Sequence, residues 1–434
     1  MTFQLDMQNH SAISMSDFPN SSKIEWLNGA KQEALDVFCK QPLPTRKVEH
    51  WKYNELSFLK SEKFSLTEDK NPDPAQSEHS IDFSSALEIT FIDGFLKTDL
   101  TALSIEEGLT IKTLSDCDET EQEKVRALLS ANEKNLLLNL NQILIEDGIY
   151  ISVDSNKQIQ TPIYIKHLST KGDRAEISSN LVLVNSAKHS ELTLVEHFES
   201  ERSDNIKLAL QQTIFSQDVN SIINAYRINF EKDSAVFASQ VIAKLSTNAT
   251  YNAFFVGLGS KLNRTDIDVH HQGQGAHCEL NGVYLPANSQ TIDYHSNIEH
   301  QVAHCTSHEV FRGIMADKSS ATFNGKIHIF QDAQKSDAYL NNKNLLLTNE
   351  AEINTKPELE IYADDVKCAH GATVAQIDDK SVYYLQTRGI ERKKARKMLS
   401  VAFIQELVDT IRNEEVKTFV KDNLSQYMSQ IDNQ

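Results

Sequence analysis

Residues 359–371 read LEIYADDVKCAHG. Leu359, Ile361 and Ala363 alternate with more polar neighbours, the period-two pattern of a half-buried strand, and Cys368 and His370 follow as a Cys-x-His unit. On an extended backbone residues i and i+2 project from one face, so the thiol and the imidazole stand side by side as a pair of soft metal ligands. The pair is incomplete, because zinc takes four ligands, an iron–sulfur cluster is commonly held by four cysteines, and no CxxC or HxxxC lies near it. The missing ligands must come from distant residues, another chain or small molecules. A buried thiol beside a hydrogen-bonded turn histidine fits the same residues, and the stretch alone leaves both readings open.

The same short-strand texture runs back through most of the chain. Leu87, Ile89 and Phe91 alternate, then Ile149, Ile151 and Val153, Ile163 and Ile165, and Leu192 and Leu194. One helical interruption is predicted at Glu119–Leu129, whose acidic first turn suits the positive end of a helix dipole. So many short strands suit either stacked sandwiches or a solenoid of parallel rungs. Only 14 glycines and 8 prolines occur in 434 residues, too few for a series of tight Asn-Gly or Asp-Gly hairpins. The related strings NGVYL at Asn281, RGIMA at Arg312 and NGKIHI at Asn324 read as rungs at irregular spacing, which favours the solenoid.

Both ends are helical in pattern. Ser22 and Glu25 form a capping box, Ile24, Leu27, Ala34, Leu35 and Phe38 keep helical spacing, and Pro42 and Pro44 stop the helix. Pro44–Leu59 gathers Trp51, Tyr53, Leu56, Phe58 and Leu59, as core packing or as an aromatic docking surface; Lys60–Ser80 reads as a linker. After Asp379 an apolar stripe of Ala395, Met398, Leu399, Ala402, Phe403, Leu407 and Ile411 follows a basic cluster from Arg392 to Lys397, with Gly389 separating two helices. That cluster is a solvated face or a partner-binding patch.

Forty-three Lys and Arg against 61 Asp and Glu give a formal charge of −18, which argues against nucleic-acid binding and points to protein partners. Five scattered cysteines do not form a secreted disulfide framework. The first residues lack a basic segment followed by an apolar one, and no run is long enough to span a bilayer, so a cytoplasmic protein without membrane attachment is predicted.

Other constellations are weaker. His295, His300, His304 and His308 with Cys305 are dense in ligands, but they share a face only if the segment is helical, and it reads as strand and loop. His270 and His271 point to opposite faces of a strand. No GxxxxGK[ST] and no GxSxG occurs, so the chain carries neither a P-loop nor a hydrolase elbow. Asp364 and Asp365 fit turn or capping roles.

The runs NKNLLLTNEAEINTKPELEIYADDVKCAHGATVAQIDDKSVYYLQTRGI from Asn342, GVYLPANSQTIDYHSNIEH from Gly282, FRGIMADKSSATFNGKI from Phe311, AQKSDAY from Ala333 and PTRKVEHWKY from Pro44 resemble the SufD branch of the SufB/SufD family of the bacterial SUF iron–sulfur assembly system. Ala369 and Ala375 stand where that family commonly has Ser and Gly, and Leu340 and Thr348 where it has Gln and Ser.

The resemblance implies a mainly β protein: a right-handed parallel β-helix core over 81–377 with a helical insertion near 119–131. An N-terminal helical domain with linker (1–80) and a C-terminal helical domain (378–434) would flank it. It further implies a non-enzymatic scaffold for iron–sulfur cluster assembly, paired with SufB through the β-helix and docked to the ATPase SufC through Arg388, Gly389, Ile390, Met398 and Phe403. Cys368 and His370 would hold a transient cluster or iron shared with SufB. No nucleotide would bind this chain, and an isolated chain could form a homodimer. The alternative from the residues alone is a β-helix enzyme acting on an acidic polysaccharide, disfavoured by the acidic charge. A monomeric histidine-based metal enzyme would need the histidines near 300 to converge.

Overall fold

A computed structural model describes residues 4–6, 24–54, 56, 59, 62–69, 79–129, 131–133 and 135–431. In chain order the N-terminal part contains β1 (Gln4–Asp6), α1 (Asn28–Phe38), β2 (Lys63–Leu66), β3 (Leu87–Ile92), β4 (Phe95–Leu96), β5 (Leu109–Thr113), α2 (Glu119–Leu128), α3 (Leu136–Leu144) and β6 (Gly148–Val153). Strands then follow one another: β7 (Ile163–Ser169), β8 (Glu176–Ser186), β9 (Glu191–Ser200), β10 (Lys207–Gln217), β11 (Ile222–Phe230), β12 (Ala235–Leu245), β13 (Thr250–Gly257) and β14 (Leu262–His271). The series continues with β15 (His277–Tyr284), β16 (Thr291–His300), β17 (Thr306–Met315), β18 (Ser320–Ile329), β19 (Asp337–Leu346), β20 (Glu352–Ile361) and β21 (Lys367–Gln376). The helices α4 (Asp379–Gln386), α5 (Arg392–Val408) and α6 (Glu414–Ile431) follow.

Even-numbered strands β8 to β20 pair in order as one parallel sheet, and odd-numbered strands β7 to β21 as the other. The chain therefore alternates between two sheets and advances one rung per turn, a β-solenoid; Asn263, for example, lies beside Ile292 one turn later. The interior between the sheets is a continuous core that includes Ile151, Val184, Phe215, Val241, Ile267, Leu280, Phe311 and Ile327. Burying each such side chain contributes roughly 1.5–3 kcal/mol. Helices cover the outer faces. α1, Trp51 and α3 pack on Leu208, Val236 and Leu262 of the even sheet, and α5 and α6 pack on Phe254, Val256, Val283 and Ile314 of the odd sheet. Strands covered on both faces read as unbroken apolar runs, as Leu181–Val184 does.

The scarcity of glycine has a structural reason. The six corners from β8–β9 to β18–β19 each hold one left-handed residue, and His189, Asn220, Asn248, Gly275, His304 and Lys335 supply it at φ of 54° to 73°. Asn tolerates this region, so the corner does not demand glycine. Glycine is instead required inside. A Cβ at Gly282 would sit 2.3 Å from the Phe311 ring and one at Gly313 2.1 Å from the Tyr284 ring, so each glycine makes room for an aromatic on the adjacent rung. The NGVYL and RGIMA glycines lie on β15 and β17 of one sheet and the NGKIHI glycine on β18 of the other, which explains the irregular spacing.

The linker reading of 60–80 needs correction. Lys63–Leu66 is a strand with Phe64 fully buried, and it joins the even sheet beside β8. α2 stands where predicted, with a capping box between Asp118 and Glu121. α3 shows no helical period in the sequence because all nine of its residues are buried, leaving no polar face to mark it. Ile24, Leu27, Ala34, Leu35 and Phe38 are buried as expected, whereas Ser22 of the predicted cap and Phe58 lie outside the described residues. At the C-terminus Gly389 separates α4 from α5 at φ 81°. α5 turns Ala395, Ser400, Ile404, Leu407 and Val408 inward, so the predicted stripe is rotated and Met398 and Ala402 face solvent.

Candidate functional site

β21 is the last rung. Among the described residues it pairs with β19 on one side only, and β20 likewise pairs only with β18. Cys368 lies beside Ala338 and His370 beside Leu340 in register. Both partners belong to the interior core, so the Cys-x-His pair occupies the inward face of the terminal rung, with no further rung over it among the described residues. Cys368 is half-buried against the core, and burial, aided by the Asp337 charge, pushes its thiol up. His370 is exposed. The Lys367 amide donates to Ser336 O at 2.9 Å. Since backbone groups alternate sides along a parallel strand, those of Cys368, His370, Ala372 and Val374 face the open edge.

The two halves of this end differ. From Cys368 to Gln376 β21 is uncharged, whereas β20 carries Glu352, Lys356, Glu358, Glu360 and Pro357. Charges and proline on an edge oppose strand addition, so β21 is the edge suited to pair with another chain. Among the described residues no group of three or more His, Cys, Asp or Glu is arranged to hold a metal ion. Cys368 and His370 thus offer two donors from one strand.

The histidines near 300 do not converge. His295 points outward to Asp293 at 2.9 Å, His300 points into the solenoid and stacks on His271 at 4.5 Å, His304 is a corner residue, and His308 stacks on Tyr339 on the other sheet. His270 and His271 point to opposite faces as read, His270 bonding Glu299 at 2.9 Å. Asp365 takes a turn role, its backbone oxygen accepting from the Lys335 amide at 2.6 Å.

Buried polar groups inside the solenoid escaped the sequence reading. Glu309 is fully buried and accepts a 2.5 Å hydrogen bond from Ser296 Oγ, and burial pushes its carboxyl up to about 8. Burial lowers His300 to about 4, and it bonds Ser307 Oγ at 2.8 Å. Their inward positions in the alternation, Glu309 between Ser307 and Phe311, were the available signal.

The segment from Pro44 to Asn54 forms a strap across the even sheet. Trp51 is buried under the Arg264 guanidinium, 4.5 Å from its ring centre. Arg264 donates to His50 O at 2.9 Å and to Asp293 at 2.6 Å, and Asn54 donates to the same carboxylate at 2.7 Å. Burial opposes the Asp293 charge, but Arg264 and His295 hold its carboxyl well below the usual range. Of the two readings for Pro44–Leu59, core packing describes Trp51, Leu56 and Leu59, which are all buried.

At the C-terminal end Tyr383 (69% exposed) and Tyr384 (56%) on α4 and Met398 (44%) on α5 are exposed apolar side chains. Arg388 stacks on Tyr384 at 4.7 Å, and the Ile390 amide closes the turn onto Leu385 O at 3.2 Å. Phe403 differs. It is half-buried, its carbonyl accepts from Arg312 at 2.6 Å, and it packs toward the solenoid.

Two family models match the chain: the SUF system FeS cluster assembly SufBD core domain over residues 167–403, and the SufBD protein N-terminal region over residues 14–165. Among curated relatives, the iron–sulfur cluster assembly protein SufD of Escherichia coli is 29% identical over 95% of this chain and 98% of its own length. An iron–sulfur cluster assembly SufBD family protein of Synechocystis is 28% identical over 88% of this chain and 86% of its own. The chloroplastic protein ABCI7 of Arabidopsis thaliana is 24% identical over 96% of this chain and 88% of its own.

Proposed function

The chain belongs to the SufBD family of the SUF iron–sulfur cluster assembly system, and on that premise we propose that it is a non-enzymatic scaffold subunit that pairs with SufB and docks the ATPase SufC. The observation that carries this reading is the Cys368–His370 pair on an uncharged, unpaired terminal strand, with no third ligand grouped beside it among the described residues. Two donors cannot complete a cluster's coordination, so the cluster is shared cargo, built where SufB closes the open end and adds its own ligands. Edge addition to β21 would supply main-chain hydrogen bonds, with side chains of the terminal rung setting specificity.

SufC docking falls to the helices. The exposed surface of Tyr383, Tyr384 and Met398 beside Arg388, Gly389 and Ile390 is the part of the C-terminal region open to a partner, while Phe403 supports α5 from beneath. Nucleotide chemistry then resides in SufC, in keeping with the absence of a P-loop motif here. The complex works in the cytoplasm, and no helix among the described residues is long and apolar enough to cross a membrane.

Co-expression with SufB and SufC tests the assignment. Stoichiometric recovery of all three chains, with iron and sulfide accumulating on the complex but not on this chain alone, is the expected result. A solitary chain that retains metal and turns over a substrate would overturn it.

A further inference from the structure

Cys368 and His370 stand two rungs above a buried polar group, and the layer between them is apolar. Down the odd sheet, Cys368 lies beside Ala338 and Ala338 beside Ser307, while His370 lies beside Leu340 and Leu340 beside Glu309. The lower layer is tied to the even sheet by polar contacts: Ser296 Oγ donates to Glu309 at 2.5 Å, and His300 bonds Ser307 Oγ at 2.8 Å. The middle layer has none of this chemistry. Ala338 and Leu340 of β19 and Ile327 and Ile329 of β18 are all buried members of the interior core.

Leu340 spans the interior from one sheet to the other. A Cβ at Gly325 of β18 would sit 2.4 Å from Leu340 Cδ1 and 2.9 Å from the Phe323 ring, so both side chains close on the same point of the even-sheet backbone. Phe323 in turn meets Phe311 of the odd sheet at 5.0 Å between ring centres. An ion crossing this layer would shed its hydration and find no polar group in exchange, which is strongly unfavourable. On the other side of the pair the way is open, because His370 is exposed and Cys368 only half-buried. We propose that Leu340 is the floor of the Cys368–His370 site, so that iron and sulfide reach the pair from its exposed side and not along the solenoid interior. The proposal rests on the reading of this pair as the assembly site and adds the direction of supply. Glu309, Ser296, Ser307 and His300 are then a sealed group with no part in cluster building.

Thiol alkylation of the full chain by iodoacetamide, read site by site by peptide mass spectrometry, tests the floor. Glu309→Cys places a thiol directly beneath Leu340, and that thiol is expected to react roughly a hundredfold more slowly than Cys368. Adding Leu340→Ala should speed it about tenfold, while Leu340→Met, of similar volume, should not. Cys278, fully buried one rung below Ser307, reports global unfolding in every variant. A thiol at 309 that reacts as fast as Cys368 while Cys278 stays protected rejects the floor, as does a Cys368 that does not react in the folded chain. The second arm reads iron and sulfide on the complex with SufB and SufC. Glu309→Gln and Cys278→Ala should leave both at parent levels, and a loss with all subunits retained would show supply through the interior and overturn the proposal. If His370→Ala also leaves them at parent levels, the assembly-site reading fails, and alkylation alone still decides whether Leu340 seals the interior.

Discussion

Trp51 and Arg264 stack ring on guanidinium at 4.5 Å, both buried, and join the N-terminal strap to the middle of the solenoid. The same guanidinium neutralises Asp293, which also receives Asn54. Trp51→Ala should cost about 3–5 kcal/mol of unfolding free energy, as large buried aromatics do. Arg264→Met should cost a similar ~3–5 kcal/mol, because it strands the buried Asp293 charge. Denaturant unfolding of both variants and of the pair measures the coupling. Independent, additive losses would show that the hub is not one unit.

His370 is exposed and Cys368 half-buried on one strand face, so their roles separate by experiment. His370→Ala should abolish cluster formation on the SufB–SufC complex without loss of subunits, read by iron and sulfide content after co-purification. Cys368→Ala tests whether the thiol is a ligand or packs against the core. A parent-like cluster yield assigns it to packing.

Glu309 gives a pH dependence of known sign. Its folded carboxyl is pushed up to about 8 by burial, above its value in the unfolded chain. The unfolded chain sheds this proton first, so the contribution of Glu309 to stability is complete below about pH 4.5 and is lost as pH rises toward about 8, by a few kcal/mol at most. Glu309→Gln keeps the partner for Ser296 and removes the titration. It should flatten the pH–stability curve over that window, as followed by urea unfolding. An unchanged slope would show that Glu309 is charged in the folded protein.

For the ATPase dock, removal of α5 is a poor test, since Ile404, Leu407 and Val408 cover the odd sheet. Surface variants are cleaner. Tyr384→Ala and Met398→Glu should each reduce SufC retention in a pull-down at least tenfold, an estimate drawn from the weight of central apolar anchors, with no change in melting temperature. Retention at parent levels would move the dock elsewhere.

Much of this fold is legible in one sequence because alternation survives where one face of a strand meets solvent, as in β19, where Ala338 and Leu340 are buried and Asp337 and Tyr339 are exposed. It fails where helices cover the outer face. The β8 run Leu181–Val184 is buried on both sides and loses its period, and α3, buried on every side, shows none. The Cys368–His370 pair is local and readable. The inward cluster of Glu309, Ser296, His300 and Ser307 is not, because its members come from different strands brought together only by the turn of the solenoid. The strap shows the same limit: Trp51 announces burial, although Tyr53 beside it is exposed, and Arg264, more than two hundred residues on, cannot be inferred from it.

The bare edge of β21 has a consequence for how the chain must be made. A neutral strand with free amides accepts any other strand that reaches it, so a copy released without its partner is a seed for its own precipitation. If the proposed pairing with SufB covers this edge, synthesis of the two chains must be balanced. Overproduction of this chain alone should fill the insoluble fraction, and supplying the partner should empty it.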